Sequence, residues 1–270
     1  MNYSYFKDKV VIITGARQGI GKALSKILAS AGSRLVINSR DSQKLGEMKD
    51  SFIMKGCEMK DVPGDISDEE VCKAIADAAV QRFGRIDILI NNAGIAGAGA
   101  VEHADSFVFR KQVEVNLLGS YYMTKWALPH IIKSRGSVLF VSSLAGLFGL
   151  PYYSGYSASK MALTALAQSI KSELYGRGVH VGVAHVGFTE NDPAKLQYKP
   201  DGSLAPIPER NVKRVTSEKT ALLILRQIKS GRFRSVHSVL GKTEALVSKF
   251  FPGLIEFILR TAAAKEMHRN

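Results

Sequence analysis

Short runs of apolar, largely β-branched residues alternate along the chain with longer stretches in which apolar positions recur every three or four residues. The short runs fall at residues 10–14, 35–39, 59–62, 86–90, 137–142 and 179–185. Helical periodicity begins at Gly19, Ser42 and Ser67 and covers 107–133 and 156–175. This alternation predicts repeated βαβ units. Continuously apolar strands such as VVII and VLFV suit a parallel sheet covered by helices on both faces. Right-handed crossovers then give a doubly wound parallel sheet, a Rossmann-type α/β fold.

Two stretches depart from the pattern. Residues 191–214 are rich in Pro, Lys, Gly and Asn, and Pro193, Pro200, Pro206 and Pro208 break any regular element. A long loop or broken lid is expected there, either covering a ligand site or forming a plain surface insertion. Residues 241–260 carry the apolar side chains Leu246, Phe250, Phe251, Leu254, Ile255, Phe257, Ile258 and Leu259, and Pro252-Gly253 divides them into two short helical pieces. Beside Lys242, Lys249, Arg260 and Lys265, such a segment suits a membrane interface or the mouth of a pocket for a greasy substrate. Packing on its own core or on a neighbouring subunit accounts for it equally well.

At 270 residues the chain can bury a large core but is short for two full domains. A dinucleotide-binding and catalytic unit over 1–240, followed by a helical extension of the same domain over 241–270, is the expected division. No uninterrupted apolar run reaches the roughly 18 residues of a spanning helix. The opening MNYSYFKDK leads straight into VVIIT without the order of a signal peptide. Two cysteines, Cys57 and Cys72, build neither a disulfide framework nor a four-ligand zinc site, which points to a reducing, cytoplasmic setting.

A formal net charge of +13 first suggests nucleic acid, but the excess is concentrated: residues 195–270 hold 15 Lys and Arg against 6 Asp and Glu. No zinc-finger spacing or RNP-like aromatic signature accompanies it. Anionic small molecules, or peripheral contact with an anionic membrane, are therefore expected in preference to DNA or RNA.

Candidate chemistry gathers at the strand ends. Thr14-Gly15-Ala16-Arg17-Gln18-Gly19-Ile20-Gly21 is a glycine-rich turn opening a helix, where the backbone can approach a pyrophosphate at the helix N-terminus. Its G-x₃-G-x-G spacing differs from G-x-G-x-x-G, and alone it reads equally as a set of turn glycines. Three further motifs follow: Asn91-Asn92-Ala93-Gly94, Ser142-Ser143, and Tyr156-Ser157-Ala158-Ser159-Lys160, with Tyr156 thirteen residues beyond Ser143. In order and spacing, the four together resemble the short-chain dehydrogenase/reductase family over roughly residues 7–190. The stretch 140–195 is similar to the 3-ketosphinganine reductases of that family, and the tail is similar to those of its steroid- and retinoid-acting members.

Tyr156 and Lys160 lie four residues apart on a predicted helix, which puts the ammonium one turn from the phenol. Lys⁺ and an oxidised nicotinamide ring favour phenolate, so the tyrosine pKa is expected to fall from about 10 toward neutrality. Tyr156 would then act as general acid/base while Ser143 hydrogen-bonds the same substrate oxygen. The resemblance adds Asn116, at the family position that holds a water for proton relay to the lysine. A lone helical asparagine is also a common core or kink residue. No metal-ligand spacing appears.

The resemblance also implies the cofactor contacts: Gly15, Arg17, Gln18, Gly19, Ile20 and Gly21 in the turn; Asp65 and Ile66 after the third strand; Asn92, Ala93 and Gly94; Tyr156 and Lys160; and Gly187 and Thr189. Asp65, placed by the family against adenine, reads equally as a helix N-terminal acid. Ser39 stands where NAD-using members carry an acid, and Arg40 follows it with a guanidinium that can grip a 2′-phosphate, with Arg17 in reach of the same group. NADP is thus expected rather than NAD; Asp41 would oppose it only if the register slipped by two. Where the family reads Pro-Gly and then Thr four residues on, this chain has Val186-Gly187 and Asn191. Asn191 and the backbone of Phe188 and Thr189 would have to hold the carboxamide. His185 reads as a ligand contact or a satisfied strand-end histidine, and Met123, Trp126 and Met161 as core or subunit contacts.

The resulting expectation is an NADP-dependent oxidoreductase that interconverts a carbonyl and a secondary alcohol. It would reduce a lipophilic ketone of 3-ketosphinganine, steroid or retinoid type. A homo-dimer or tetramer through the helices near 107–133 and 156–175 is expected from the family. A sugar or polyol dehydrogenase and an inactive NADP-binding regulatory protein are the alternatives; Ser143, Tyr156 and Lys160, all present, speak against the last.

Overall fold

In the computed structural model, residues 3–190, 192, 195–208, 212 and 214–267 are described, without the side chains of 239, 240, 244, 249, 262 and 265–267. Strand β1 (Val10–Ile13) is apolar and buried at every position, as a central parallel strand must be. Its side chains divide by parity: Val11 and Ile13 enter one core, Val10 and Ile12 the other. Strands β2 (Arg34–Ser39), β3 (Met59–Pro63), β4 (Ile88–Asn91), β5 (Ser137–Ser143) and β6 (His180–Val186) extend the sheet. A hairpin, β7 (Leu196–Tyr198) and β8 (Leu204–Pro206), stands apart, and β9 (Arg234–Val236) closes the sheet edge. The seven sheet strands run in the order β3-β2-β1-β4-β5-β6-β9, all parallel. The order reverses between β1 and β4, which opens a crevice at the carboxyl ends of the strands.

Helices cover both faces. Leu24 and Leu28 of α1 (Gly19–Ser30), Leu45 of α2 (Ser42–Ile53) and Ile224 and Ile228 of α7 (Ser217–Ser230) pack on one side. Ile75 of α3 (Glu69–Phe83), Met123 and Ile131 of α5 (Gly119–Ser134) and Leu163 and Ile170 of α6 (Ser154–Glu173) pack on the other. The expected single helix over 107–133 is divided: α4 (Ser106–Val113) passes through a π turn at Glu114–Leu118 before α5. The turn carries Asn116, and widened turns of this kind often accompany sites.

Residues 191–214 are not the unbroken loop the prolines suggest. β7 and β8 pair antiparallel, with Pro200 in the turn and Pro206 at the strand end, where a missing N–H interrupts no ladder. Asp201 accepts from Ser203 N at 2.9 Å and Gly202 takes φ +80°, which closes the turn. The hairpin docks through Tyr198, whose N donates to Ala96 O at 2.9 Å and whose ring meets Phe107 at 5.7 Å. The tail forms α8 (Val239–Phe250) and α9 (Pro252–Met267), separated at Pro252 as the sequence indicates. Among the described residues, no helix is long and apolar enough to cross a membrane.

Candidate active site

The glycine-rich turn is built around Thr14. Its Oγ1 accepts from the backbone N–H groups of Asn92 and Ala93, both at 3.0 Å. Asn92 Nδ2 donates back to the carbonyls of Thr14 (2.9 Å) and Gly15 (3.1 Å), which joins the turn to the end of β4. Gly15 and Gly19 both take positive φ, +64° and +51°. A Cβ on Gly15 would stand 2.8 Å from Ala93 Cα, and one on Gly21 would stand 2.2 Å from Gly15 O. At Gly19 it would meet nothing within 4 Å. Gly15 and Gly21 are therefore required by packing, whereas Gly19 leaves room before the N-terminus of α1, the space and polarity a pyrophosphate needs.

That space belongs to a cavity of about 460 Å³ in the crevice. Of the residues assigned from sequence, Gly15, Arg17, Gln18, Gly19, Ile20, Ser39, Arg40, Asp65, Ile66, Asn92, Ala93, Gly94, Ser143, Tyr156, Lys160, Gly187 and Thr189 line it. Gly21 and Asn116 do not; Gly21 lies beneath the turn and Asn116 behind the wall. Asn191 falls outside the described residues.

At the first end of the cavity, β2 stops at Ser39 and Arg40 projects beyond it, so the register places no acid at the strand terminus. Asp41 instead caps α2, accepting from Lys44 N at 3.1 Å, and lies 3.9 Å from Arg17 Nε. Asp65 accepts from Ser67 N (3.0 Å) and Oγ (2.8 Å), with Lys111 at 3.6 Å and Arg40 at 4.0 Å. Burial pushes the Asp65 carboxyl up, but the two Ser67 hydrogen bonds and the two cations hold it below its ordinary value.

At the other end, α6 and β5 meet. Ser142 Oγ donates to Lys160 O at 2.9 Å and Lys160 Nζ donates to Val141 O at 3.0 Å, so each element fixes the other. Lys160 is buried, and the loss of hydration, with Lys195 nearby, brings its pKa down to about 7. Tyr156 hydrogen-bonds Ser143, which lowers its pKa, but burial is the larger effect and Tyr153 adds to it, so the phenol is held above its ordinary value. The fall toward neutrality expected beside Lys⁺ and an oxidised nicotinamide ring is absent from the ligand-free protein, where burial takes part of the charge from Lys160 and the ammonium is turned toward Val141. Ser143 is held from behind by His185, whose Nδ1 lies 3.1 Å from Ser143 O. His185 is fully buried, and burial brings its pKa down to about 4. It is a strand-end support and does not line the cavity.

Asn116 spends its amide on structure. Oδ1 accepts from Ile95 N at 2.8 Å, and Nδ2 donates to Ile95 O and Ser159 Oγ, both at 3.0 Å. It ties the segment after β4 to α6. Sequence reasoning gave Thr14 no role of its own and missed Tyr153, Lys195 and Gln197. The last three line the cavity, and Lys195 and Gln197 arrive there only because the hairpin folds over it. Proline content flagged the segment but carried no signal for which side chains it delivers.

A doubly wound parallel sheet, a glycine turn before an open helix N-terminus, and a Ser–Tyr–Lys group across the same crevice define a dinucleotide-binding oxidoreductase. The family model for short chain dehydrogenase matches residues 9–200. Dehydrogenase/reductase SDR family member 7B of Xenopus laevis is 31% identical over 271 residues, covering 97% of this chain and 84% of that protein. The 11-beta-hydroxysteroid dehydrogenase A of Sesamum indicum is 33% identical over 186 residues, 68% of this chain and 53% of that protein. A short chain dehydrogenase/reductase from Burkholderia phymatum, solved in complex with NAD, superposes with a TM-score of 0.81 at 23% identity, covering 92% of this chain and 95% of that one. The chain belongs to the short-chain dehydrogenase/reductase family, and with it to the NAD(P)-dependent oxidoreductases that act on CH–OH groups.

Proposed function

We propose that this protein is an NADP-dependent carbonyl reductase acting on a lipophilic ketone. The observation that carries the reading is one continuous cavity with Arg17 and Arg40 at one end and Ser143, Tyr156 and Lys160 at the other. Two guanidiniums near a strand end that bears serine suit a 2′-phosphate better than free ribose hydroxyls. Gly15, Gln18, Gly19 and Ile20 would hold the pyrophosphate, Asp65 and Ile66 the adenine side, and Gly187 and Thr189 the nicotinamide side. NADP(H), when bound, supplies or accepts the hydride.

The residues of the chain govern the proton. Tyr156, kept protonated by burial, is poised to donate to the substrate oxygen in reduction, and Ser143 Oγ holds that oxygen. Lys160, anchored on Val141, would carry more positive charge once anionic phosphates enter the crevice, which favours the phenolate left after donation. Beyond this group the cavity wall is Leu144, Leu150, Tyr153, Phe188, Ile207 and Pro208, an apolar surface for an aliphatic or polycyclic ketone. The hydroxysteroid name of the sesame relative agrees with that class. A polyol substrate is the second reading, supported by Asp192, Lys195 and Gln197 on the same wall. Exposed Leu118, Tyr121 and Met161 on and beside α5 and α6 support homo-oligomerisation through those helices.

The test is coenzyme oxidation against long-chain 3-keto compounds, steroids, retinoids and sugars. A lipophilic ketone should give the highest kcat/KM. Turnover confined to sugars would replace this reading with the second.

A further inference from the structure

Away from the crevice, a second cavity of about 710 Å³ lies along the edge strand β9, between α7 and the start of α8. Arg226, Lys229, Arg232, Arg234 and Lys242 line it, and none of its described lining residues is acidic. Its wall is organised. Gln227 Nε2 donates to the carbonyls of Val183 (3.0 Å), Arg232 (3.1 Å) and Phe233 (3.1 Å), which leaves Oε1 to accept from Ser235 Oγ. Ser235 Oγ in turn accepts from His237 Nε2–H at 2.7 Å. The other ring nitrogen, Nδ1, is then a lone-pair acceptor, and it has no partner among the described residues although His237 is 9% exposed. Five cations on one cavity wall suit an anionic group.

Lys242 links this cavity to the tail. Lys242, Leu246 and Phe250 recur every fourth residue on α8 and share one face; the last two are 61% and 60% exposed. Past the break, Phe251, Leu254, Phe257 and Ile258 are exposed as well, and Ile255, at the margin of the same face of α9, is buried. Tyr152 Oη donates to Ala263 O at 3.4 Å, which ties α9 to the loop beside cavity residue Tyr153. A two-fold self-contact over this face would bring together two copies of one strongly basic patch. An apolar, aromatic stripe adjoining concentrated positive charge instead matches the chemistry of a membrane surface.

We propose that α8, α9 and the basic cavity beside β9 form a docking surface for an anionic phospholipid leaflet. The basic side chains meet the phosphates and the exposed Phe and Leu side chains enter the boundary below them. The proposal stands apart from the substrate reading, because binding is measured without turnover.

The experiment is co-sedimentation of the full chain with vesicles of phosphatidylcholine alone or mixed with phosphatidylserine, at low and high salt. Wild type should bind the mixed vesicles and release as salt rises. The variant Arg226→Gln/Arg232→Gln/Arg234→Gln should bind them on the order of a hundredfold more weakly, at about fivefold per charge. Leu254→Ser/Phe257→Ser should weaken binding at least about tenfold. Unchanged melting temperature and NADPH binding in both variants show that the fold is kept. Equal binding to both vesicle types, no binding, or unchanged binding by both variants would overturn the proposal. So would tighter salt-dependent binding to duplex DNA, full displacement by inorganic phosphate at matched ionic strength, or loss of a wild-type dimer in either variant without any vesicle binding.

Discussion

Lys160 Nζ stands 5.9 Å from the centre of the Tyr156 ring, one turn along α6, yet its hydrogen bond goes to Val141 O. The ammonium is thus near the phenol without pairing with it. Burial disfavours the charged form of both groups, which keeps Tyr156 protonated and brings Lys160 down to about 7.

That depression has a signed consequence for stability. Between pH 7 and the ordinary lysine value, the unfolded chain binds a proton at Lys160 that the folded chain has released. Stability of the ligand-free protein should therefore rise with pH across about 7 to 10, below the range in which the raised Tyr156 pKa acts in the opposite sense. Lys195, also depressed by burial, contributes in the same direction. Lys160→Met should flatten the slope, as read by denaturant midpoints at several pH values. An unchanged slope would mean the lysine is not depressed.

Arg40→Asp should exchange the phosphate grip for a carboxylate that suits ribose hydroxyls. The kcat/KM ratio of NADPH to NADH should fall at least about tenfold, since a hydrogen bond to a charged group is worth roughly 1.5–3 kcal/mol. If the ratio holds, Arg17 alone carries the preference or the cofactor is NAD.

The glycines of the turn should separate into two kinds. Gly21→Ala forces a Cβ within 2.2 Å of Gly15 O and should destabilise the fold by about 1–3 kcal/mol, lowering the melting temperature. Gly19→Ala places its methyl in open space at φ +51° and should cost about 1–2 kcal/mol while sharply weakening NADPH binding. Equal nucleotide affinity in Gly19→Ala and wild type would move the pyrophosphate elsewhere.

Much of this was legible from residues alone. The strands at 10–14 and 137–142 are apolar on both faces because both faces are covered, and the sequence motifs sit at their carboxyl ends because the crevice does. Less legible was whatever depends on contacts distant in sequence. β9 is three residues long, too short for a period, and gains its identity by pairing with β6. The hairpin over the crevice is anchored by Tyr198 on Ala96, about a hundred positions away, so neither its strands nor Lys195 announced themselves. The upward shift of Tyr156 in the ligand-free chain was hidden for the same reason. A Tyr-x₃-Lys spacing encodes proximity, whereas desolvation and the pull of Val141 O on the ammonium come only with the packed structure. Asn116 reads either as a water holder or a kink residue, and its amide is taken up by Ile95 and Ser159 at the π turn.

The central claim is that Tyr156 delivers the proton to a reduced ketone, and comparing Tyr156→Phe with wild type tests it most directly. With NADPH and the best lipophilic ketone, the substitution should lower kcat about 10²–10⁴-fold while the dissociation constant for NADPH changes by less than about tenfold, because the phenol moves the proton and is only one of many contacts to the nucleotide. Near-normal kcat in the Phe variant would contradict the account.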